Sequence, residues 1–297
     1  MLGNEVKTEP PLCAAWRPTG RPKRVIPPAG AWDMHAHLVG PATTQSATRL
    51  FTAPEATVHD YIGLLDQLGI QHGMIVQPTV HGHDHHILLN GLRAYPSRLS
   101  GVAVVNAEMA PAELDLLRDA GVIGARLFDI YGDGAAMADL ESIATLCAER
   151  GWFLQLAGPG RLYPLLEARL ASLRLPVVID HLGWMDLTDG ATGGILDCLL
   201  RLVRYDHVYL KLSALNRLSK QGPPFADVVP LARSLIDVAP EQILWGSDWP
   251  HIGLPDATPG TEAVLDFLAD CTCNARQELI LVHNPRKLFR ATKDARP

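Results

Sequence analysis

Long apolar runs are missing from this sequence. No segment approaches the ~18 consecutive apolar residues that a membrane span needs, so no spanning helix is expected. An excess of positive charge is missing too. Lys and Arg number 26 against 32 Asp and Glu, a net charge of −6, which argues against nucleic acid or an anionic membrane as partner. The phosphate loops of nucleotide folds are absent: no GxGxxG follows the first apolar run, and GxxxxGK[ST] occurs nowhere. Cysteine is scarce and odd in number, at Cys13, Cys147, Cys198, Cys271 and Cys273, and Cys271-Thr-Cys273 lacks the second pair that a zinc knuckle requires. Residues 1–30 hold six prolines and scattered charge but no apolar stretch of the secretory kind. The expectation is a cytoplasmic protein with reduced, structural thiols.

What is present is a regular alternation. Short aliphatic or β-branched runs fall at about 31–37, 73–77, 99–105, 122–127, 152–156, 176–181, 207–212 and 242–247. Amphipathic stretches lie between and after them, at roughly 57–68, 83–94, 111–120, 136–149, 161–172, 193–204, 227–238 and 260–282. Pro111 opens one helix and Gly121 follows it, while Gly69 and Gly151 stand between a helix and a strand, the usual punctuation. Runs such as Val177-Val178-Ile179 are apolar throughout, as strands covered on both faces must be. Eight strand–helix units in 297 residues match the ~250 residues of a (β/α)8 barrel. The chain is therefore read as an α/β protein, a distorted (β/α)8 TIM barrel in a single domain over residues 31–297, preceded by an extended N-terminal arm over 1–30.

Barrel enzymes build their sites at the C-terminal ends of the strands. Strand one ends in His35-Ala-His37, and residues i and i+2 of a strand share a face, so both imidazoles can reach one point. The other strands end at Gln77-Pro78-Thr79, Asn106, Arg126 with Asp129, Gln155, Asp180-His181, Lys211 with Ser213 and then Arg217, and Ser247-Asp248-Trp-Pro-His251. Any one of these has a structural explanation, since a lone strand-end histidine is more often hydrogen-bonded than catalytic. His35, His37, His181 and Asp248 as a set point to chemistry. Three imidazoles and a carboxylate either hold one divalent metal, zinc or manganese, or stabilise an oxyanion while Asp248 takes a proton from water. Both routes end in water adding to a carbonyl-type carbon.

Together, His35-Ala-His37, Val-Val-Ile-Asp-His181-Leu-Gly and Trp245-Gly-Ser-Asp248-Trp-Pro-His251 resemble the amidohydrolase superfamily. More narrowly, the chain is similar, from about residue 30 to 290, to the branch containing 2-pyrone-4,6-dicarboxylate lactonase. Supporting stretches are Tyr61–Ile70, Gly121–Arg126, Lys211-Leu-Ser213 and Val282–Phe289. The resemblance implies Asp248 as general base and His35, His37 and His181 around the carbonyl oxygen. It leaves the cofactor open between none and one metal held by His35, His37, His181 and Asp248. A binuclear centre is not expected, because Gln155 ends strand five and strand seven offers no histidine. Arg126 and Arg217 match positions that grip substrate carboxylates; the alternative for each is a salt bridge at the barrel rim. The branch's second arginine is missing from Leu127-Phe-Asp-Ile-Tyr-Gly-Asp-Gly134, which points away from the dicarboxylate pyrone and towards another acidic lactone, a sugar-acid lactone included.

The loop His81-Gly-His83-Asp-His85-His86 is rich enough in histidine to bind metal. Loop and helix-start roles are the reading favoured here, with Asp84 near the N-cap of the following helix. Thr79, His81 and His251 complete the candidate substrate contacts. The expected activity is hydrolysis of a lactone or related cyclic ester of a carboxylic acid, in aromatic or sugar-acid catabolism, on a small acidic substrate. The rivals are a metal-dependent decarboxylase or lactone isomerase on the same barrel, and a barrel that binds small acids without catalysis.

Overall fold

The structure, a computed structural model, describes residues 9–129, 137–187, 192–254 and 260–294. The first eight residues of the arm and residues 130–134 of the stretch that departs from the lactonase pattern lie outside them. Eight parallel strands follow one another in chain order: β1 (Trp32–Ala36), β2 (His72–Val76), β3 (Leu99–Val104), β4 (Val122–Phe128), β5 (Phe153–Ala157), β6 (Val177–Ile179), β7 (Val208–Leu212) and β8 (Ile243–Trp245). The sheet closes where the chain beyond β8 meets β1, through Asp248 N–H to His35 O at 2.8 Å and His37 N–H to Trp249 O at 2.7 Å. The fold is a (β/α)8 barrel.

The outer helices include α1 (Val58–Leu68), α2 (His86–Ala94), α3 (Pro111–Asp119), α4 (Leu140–Arg150), α5 (Tyr163–Ser172), α6 (Thr192–Leu202), the single-turn α7 (Leu215–Leu218) and α8 (Val229–Val238). Local chemistry explains several boundaries. Thr57 and Asp60 form a reciprocal capping box at the start of α1, and Gly69, at φ 77°, ends it in the left-handed region. Gly151, at φ 62°, does the same for α4. Asp84 Oδ1 accepts from the His86 amide at 2.9 Å, capping the start of α2 from just outside it. Tyr61, Leu64, Leu65 and Leu68 line the buried side of α1, the 3.6-residue stripe that packs on the strands.

One expected element breaks up. The stretch 260–282 reads as a single helix but forms α9 (Thr261–Asp266), α10 (Leu268–Cys271), α11 (Asn274–Glu278) and a π turn over Leu279–His283 before α12 (Asn284–Asp294). Where α10 ends, the Arg233 guanidinium satisfies the carbonyl of Asp270, with Nε at 3.0 Å and Nη2 at 2.7 Å, in place of a helical amide. Asn284 then pins the entry to α12 by donating to the carbonyls of Pro240 and Ile243.

The barrel interior is layered. Met34, Met74, Val76, Val102, Phe153, Val178, Tyr209 and Leu244 fill its lower part, with Leu288 of α12 packed into the same cluster. Above them the lining turns polar. Relative to β2, β1 holds one extra residue between Asp33 and Ala36. That bulge shifts the side-chain alternation, so Met34 joins the apolar plug while His35 joins the polar layer above it.

Among the described residues of the arm, Cys13 N–H donates to Thr52 O and Ala14 N–H to Leu254 O, both loops at the site end of the barrel. Further on, the amides of Lys23, Arg24 and Val25 converge on the Asp266 carboxylate. The five thiols are free, and all but Cys273 are buried. No helix among the described residues is long and apolar enough to cross a membrane.

Candidate active site

Asp248, His181 and His251 sit at positive φ, at 58°, 54° and 62°. Non-glycine residues rarely adopt this conformation outside sites that need it. The turn after β8 thereby brings the Asp248 carboxylate back over the strand ends. His35 Nε2 lies 3.8 Å and His37 Nε2 3.5 Å from Asp248 Oδ1. The rings of His35 and His37 are 4.9 Å apart, and those of His35 and His181 4.6 Å. The four residues singled out from sequence therefore meet, each at most 4 % exposed.

Hydrogen bonds set the two histidines of β1 apart. His37 Nδ1 lies 2.7 Å from the carbonyl oxygen of Val76, which can only accept. Nδ1 therefore carries the proton, and in the neutral ring Nε2 presents a lone pair towards Asp248. His35 Nδ1 lies 3.2 Å from the ammonium of Lys211, which can only donate. Asp180 Oδ1 is also 3.2 Å from that nitrogen, yet it accepts no hydrogen bond of good geometry. A neutral His35 ring that accepts from Lys211 at Nδ1 carries its proton on Nε2, a buried atom without a hydrogen-bond partner. His181 Nδ1 meets the Ser213 hydroxyl at 2.8 Å.

A charged layer lies beneath. Lys211, fully buried, donates to Gln155 Oε1 at 2.7 Å and pairs with Asp180 Oδ1 at 3.2 Å. Gln155 Nε2 and Arg126 Nη2 meet the other Asp180 oxygen at 2.8 and 3.2 Å. Burial pushes the Asp180 carboxyl up, but the Lys211 ammonium holds it well below the carboxylate range. Asp248 behaves alike, with burial overcome chiefly by Arg217, whose Nε stands 3.3 Å from Oδ2. Burial lowers Lys211 to about 8 against the pull of Asp180, and lowers His181 and His251 to about 4. His35 falls well below its usual value, again chiefly through burial.

A narrow cleft opens over this layer, lined by His37, Phe51, Pro78, Thr79, Arg126, Phe128, His181, Trp184, Arg217, Asp248 and Ile252. Thr79, Arg126 and Arg217 thus face it as the sequence suggested. Arg126 lies over the Phe128 ring at 4.5 Å and Arg217 over Trp184 at 5.8 Å.

Two expected substrate contacts do not line the cleft. His81 Nε2 accepts from the Gly40 amide at 3.2 Å, tying the loop after β2 to the loop after β1. His251 turns to Thr261, with Nε2 3.2 Å from its hydroxyl. Both histidines tie neighbouring segments together. In the rest of the histidine-rich loop, His85 meets the carbonyl of Val104 and His86 meets Asp84.

Sequence reasoning passed over Lys211, Asp180 and Gln155 as members of the site. The available signal was a lone lysine inside the otherwise apolar strand Val208-Tyr-Leu-Lys211-Leu, where an unpaired charge cannot be buried.

Among the described residues, two groups could hold a metal ion: His35–His37–Asp248 and His35–Asp180–His181. In the first, the ligand atoms have suitable spacing, since 3.5 and 3.8 Å approach the edge, about 3.4 Å, of a zinc tetrahedron with ~2.1 Å bonds. The protonation does not suit. Ligation needs a lone pair on His35 Nε2, which a neutral ring accepting from Lys211 at Nδ1 does not offer. In the second group the Lys211 ammonium already occupies the face of Asp180 Oδ1.

Comparison with known proteins gives a consistent picture. The amidohydrolase family pattern matches residues 32–291. The 4-sulfomuconolactone hydrolase of Hydrogenophaga intermedia is 32% identical over 290 residues, covering 94% of this chain and 95% of that protein. The crystal structure of a probable 2-pyrone-4,6-dicarboxylic acid hydrolase from Acinetobacter baumannii, with citric acid bound, superposes with a TM-score of 0.74 at 28% identity, covering 88% of this chain and 99% of that one. An amidohydrolase from Burkholderia multivorans with bound zinc shares the fold, with a TM-score of 0.70 at 19% identity, covering 89% of this chain and 100% of that one.

Proposed function

The chain belongs to the amidohydrolase family, and from that premise we propose that it hydrolyses the ring ester of a small lactone carrying an anionic group. The observation that carries this reading is the arrangement at the cleft: Asp248 Oδ1 lies 3.5 Å from His37 Nε2 and 3.8 Å from His35 Nε2, with His37 Nδ1 bonded to the Val76 carbonyl. A water molecule between His37 Nε2 and Asp248 Oδ1 has an acceptor for each of its protons. Its oxygen adds to the lactone carbonyl carbon as Asp248 takes one proton. The carbonyl oxygen, becoming an oxyanion, accepts from His35 Nε2–H, with Arg126 and His181 beside it. Collapse breaks the bond to the ring oxygen, which takes the proton back from Asp248. In this account His35 donates and His37 accepts, a division of labour within the histidine pair that replaces three equivalent donors.

Arg217 has two duties. It holds Asp248 as a weak base, and it stands at the cleft wall where a substrate anion can compete for the guanidinium. An acid group that draws Arg217 away restores basicity to Asp248, so the anion contributes to turnover as well as to binding. Phe51, Pro78, Phe128, Trp184 and Ile252 favour a flat, unsaturated ring over a polyhydroxylated sugar lactone, whose hydroxyls would face apolar walls. The setting we assign is the catabolism of aromatic acids in the cytoplasm. The test is a panel of unsaturated and sugar-acid lactones, each with a free and an esterified acid. Faster opening of the unsaturated free acids supports the reading, whereas equal rates across the panel contradict it.

A further inference from the structure

We propose that Lys211 is a positioning residue that fixes the tautomer of His35, turning that ring into a proton donor for oxygen and withdrawing it from metal ligation.

The argument rests on which partners can donate. An ammonium has three protons and no lone pair, so its 3.2 Å contact with His35 Nδ1 has only one polarity. Gln155 and Asp180 aim the lysine: Gln155 Oε1 accepts at 2.7 Å, and Asp180 Oδ1 stands at 3.2 Å. All four side chains are fully or almost fully buried, so no solvent competes for these contacts. The far nitrogen of His35, Nε2, then holds a proton with no partner of its own, 3.8 Å from Asp248. His35 does not itself line the cleft; its Nε2 stands just behind His37 and Asp248, which do, and an unpartnered buried donor there is suited to an oxygen that enters between them. The alternative tautomer is one proton shift away. With Nδ1–H donating to Asp180 Oδ1 at 3.2 Å, the pair would become the carboxylate–histidine arrangement that orients metal ligands, and His35, His37 and Asp248 would all present lone pairs to one point. Lys211 selects between these states and adds a positive charge behind the pocket that opposes a dication. The inference shares its site with the function proposed above and uses that reading only in naming the carbonyl oxygen as the acceptor.

The test needs no substrate. In wild type labelled with 15N-histidine, two-bond 1H–15N correlation spectra report the tautomer of each ring. A proton on His35 Nε2 is expected, and a proton on Nδ1 overturns the proposal. Metal-stripped wild type, Lys211→Met and Lys211→Arg are then titrated with Zn2+. Lys211→Met is expected to bind at least about tenfold more tightly than wild type, with Lys211→Arg close to wild type. Wild-type affinity as high as that of Lys211→Met contradicts the proposal. Should Lys211→Met fail to fold, the wild-type spectrum still decides. Lactone turnover is read separately: kcat in Lys211→Met should fall on the order of 10²-fold, with KM changing less. A wild type that opens no lactone sinks the proposed function and leaves the tautomer result standing.

Discussion

Asp33 and Asp180 are both fully buried, and both lie beside His35, yet their surroundings differ in kind. At the β1–β8 seam, Asp33 Oδ1 accepts from the amides of Ser247 at 2.9 Å and His35 at 3.1 Å, and Oδ2 from the hydroxyls of Ser247 at 2.6 Å and Tyr61 at 3.1 Å. Four neutral donors satisfy it, and burial still raises it to about 6, since these hydrogen bonds only partly offset desolvation. Across the barrel, Asp180 faces Lys211 and Arg126, and the balance goes the other way. The seam network is complete, whereas the cluster around Asp180 leaves His35 Nε2 and Arg126 Nε without hydrogen-bond partners. A closed set of neutral hydrogen bonds holds the barrel shut. An open set of charged ones is left unfinished where a substrate arrives.

Asp180→Asn should break this contrast most severely. It removes the carboxylate between two buried cations, at an expected cost of about 3–5 kcal/mol in unfolding free energy. Denaturant melts check this, and a loss no greater than that of a surface substitution would erase the distinction between the two networks.

The seam should instead reveal itself through pH. A carboxyl raised to about 6 in the fold contributes stability that is fully present below its unfolded value near 4 and is lost as pH rises through 6, about 3 kcal/mol for a shift of about two units. The buried neutral histidines His181 and His251, lowered to about 4, act in the opposite sense: they contribute stability above pH ~6.5 that is lost as pH falls through 4. Stability of Asp33→Asn should therefore climb more steeply than that of wild type between pH 4 and 6, by about 3 kcal/mol. Parallel curves contradict this assignment.

Arg217→Met sharpens the functional half of the comparison. For a free-acid lactone, kcat/KM should fall on the order of 10–100-fold, the worth of a charge-assisted hydrogen bond. Its esterified analogue should lose much less. Equal losses on both would leave Arg217 as a structural partner of Asp248 alone. The smallest effect is expected at the exposed end of the histidine-rich loop. His83→Ala should change stability by less than about 0.5 kcal/mol and leave turnover untouched, as kinetics and melts would show.

Much of this was legible in the residues. The eight strands stand out because a barrel strand is apolar on both faces, and every observed span ends within two residues of the expected one. His35, His37, His181 and Asp248 were legible because each ends such a run with a polar group. Proton placement was not, because it depends on partners distant in sequence: Val76 fixes one tautomer and Lys211 the other. The bulge in β1 and the breaks after α9 were hidden for a related reason, since Arg233 satisfies the end of α10 from a different helix. His81 and His251 looked like cleft residues because they follow strand ends, but each bonds a neighbouring segment, Gly40 and Thr261, outside the cleft lining.

The central claim is that water held by Asp248 adds to a lactone carbonyl. Reaction of an unsaturated, acid-bearing lactone in H2 18O measures this directly. The account predicts one 18O atom in the new carboxylate of the product, formed on the order of 10³-fold more slowly by Asp248→Asn. Ring migration or loss of CO2 without 18O uptake, or equal uptake by both proteins, would contradict it.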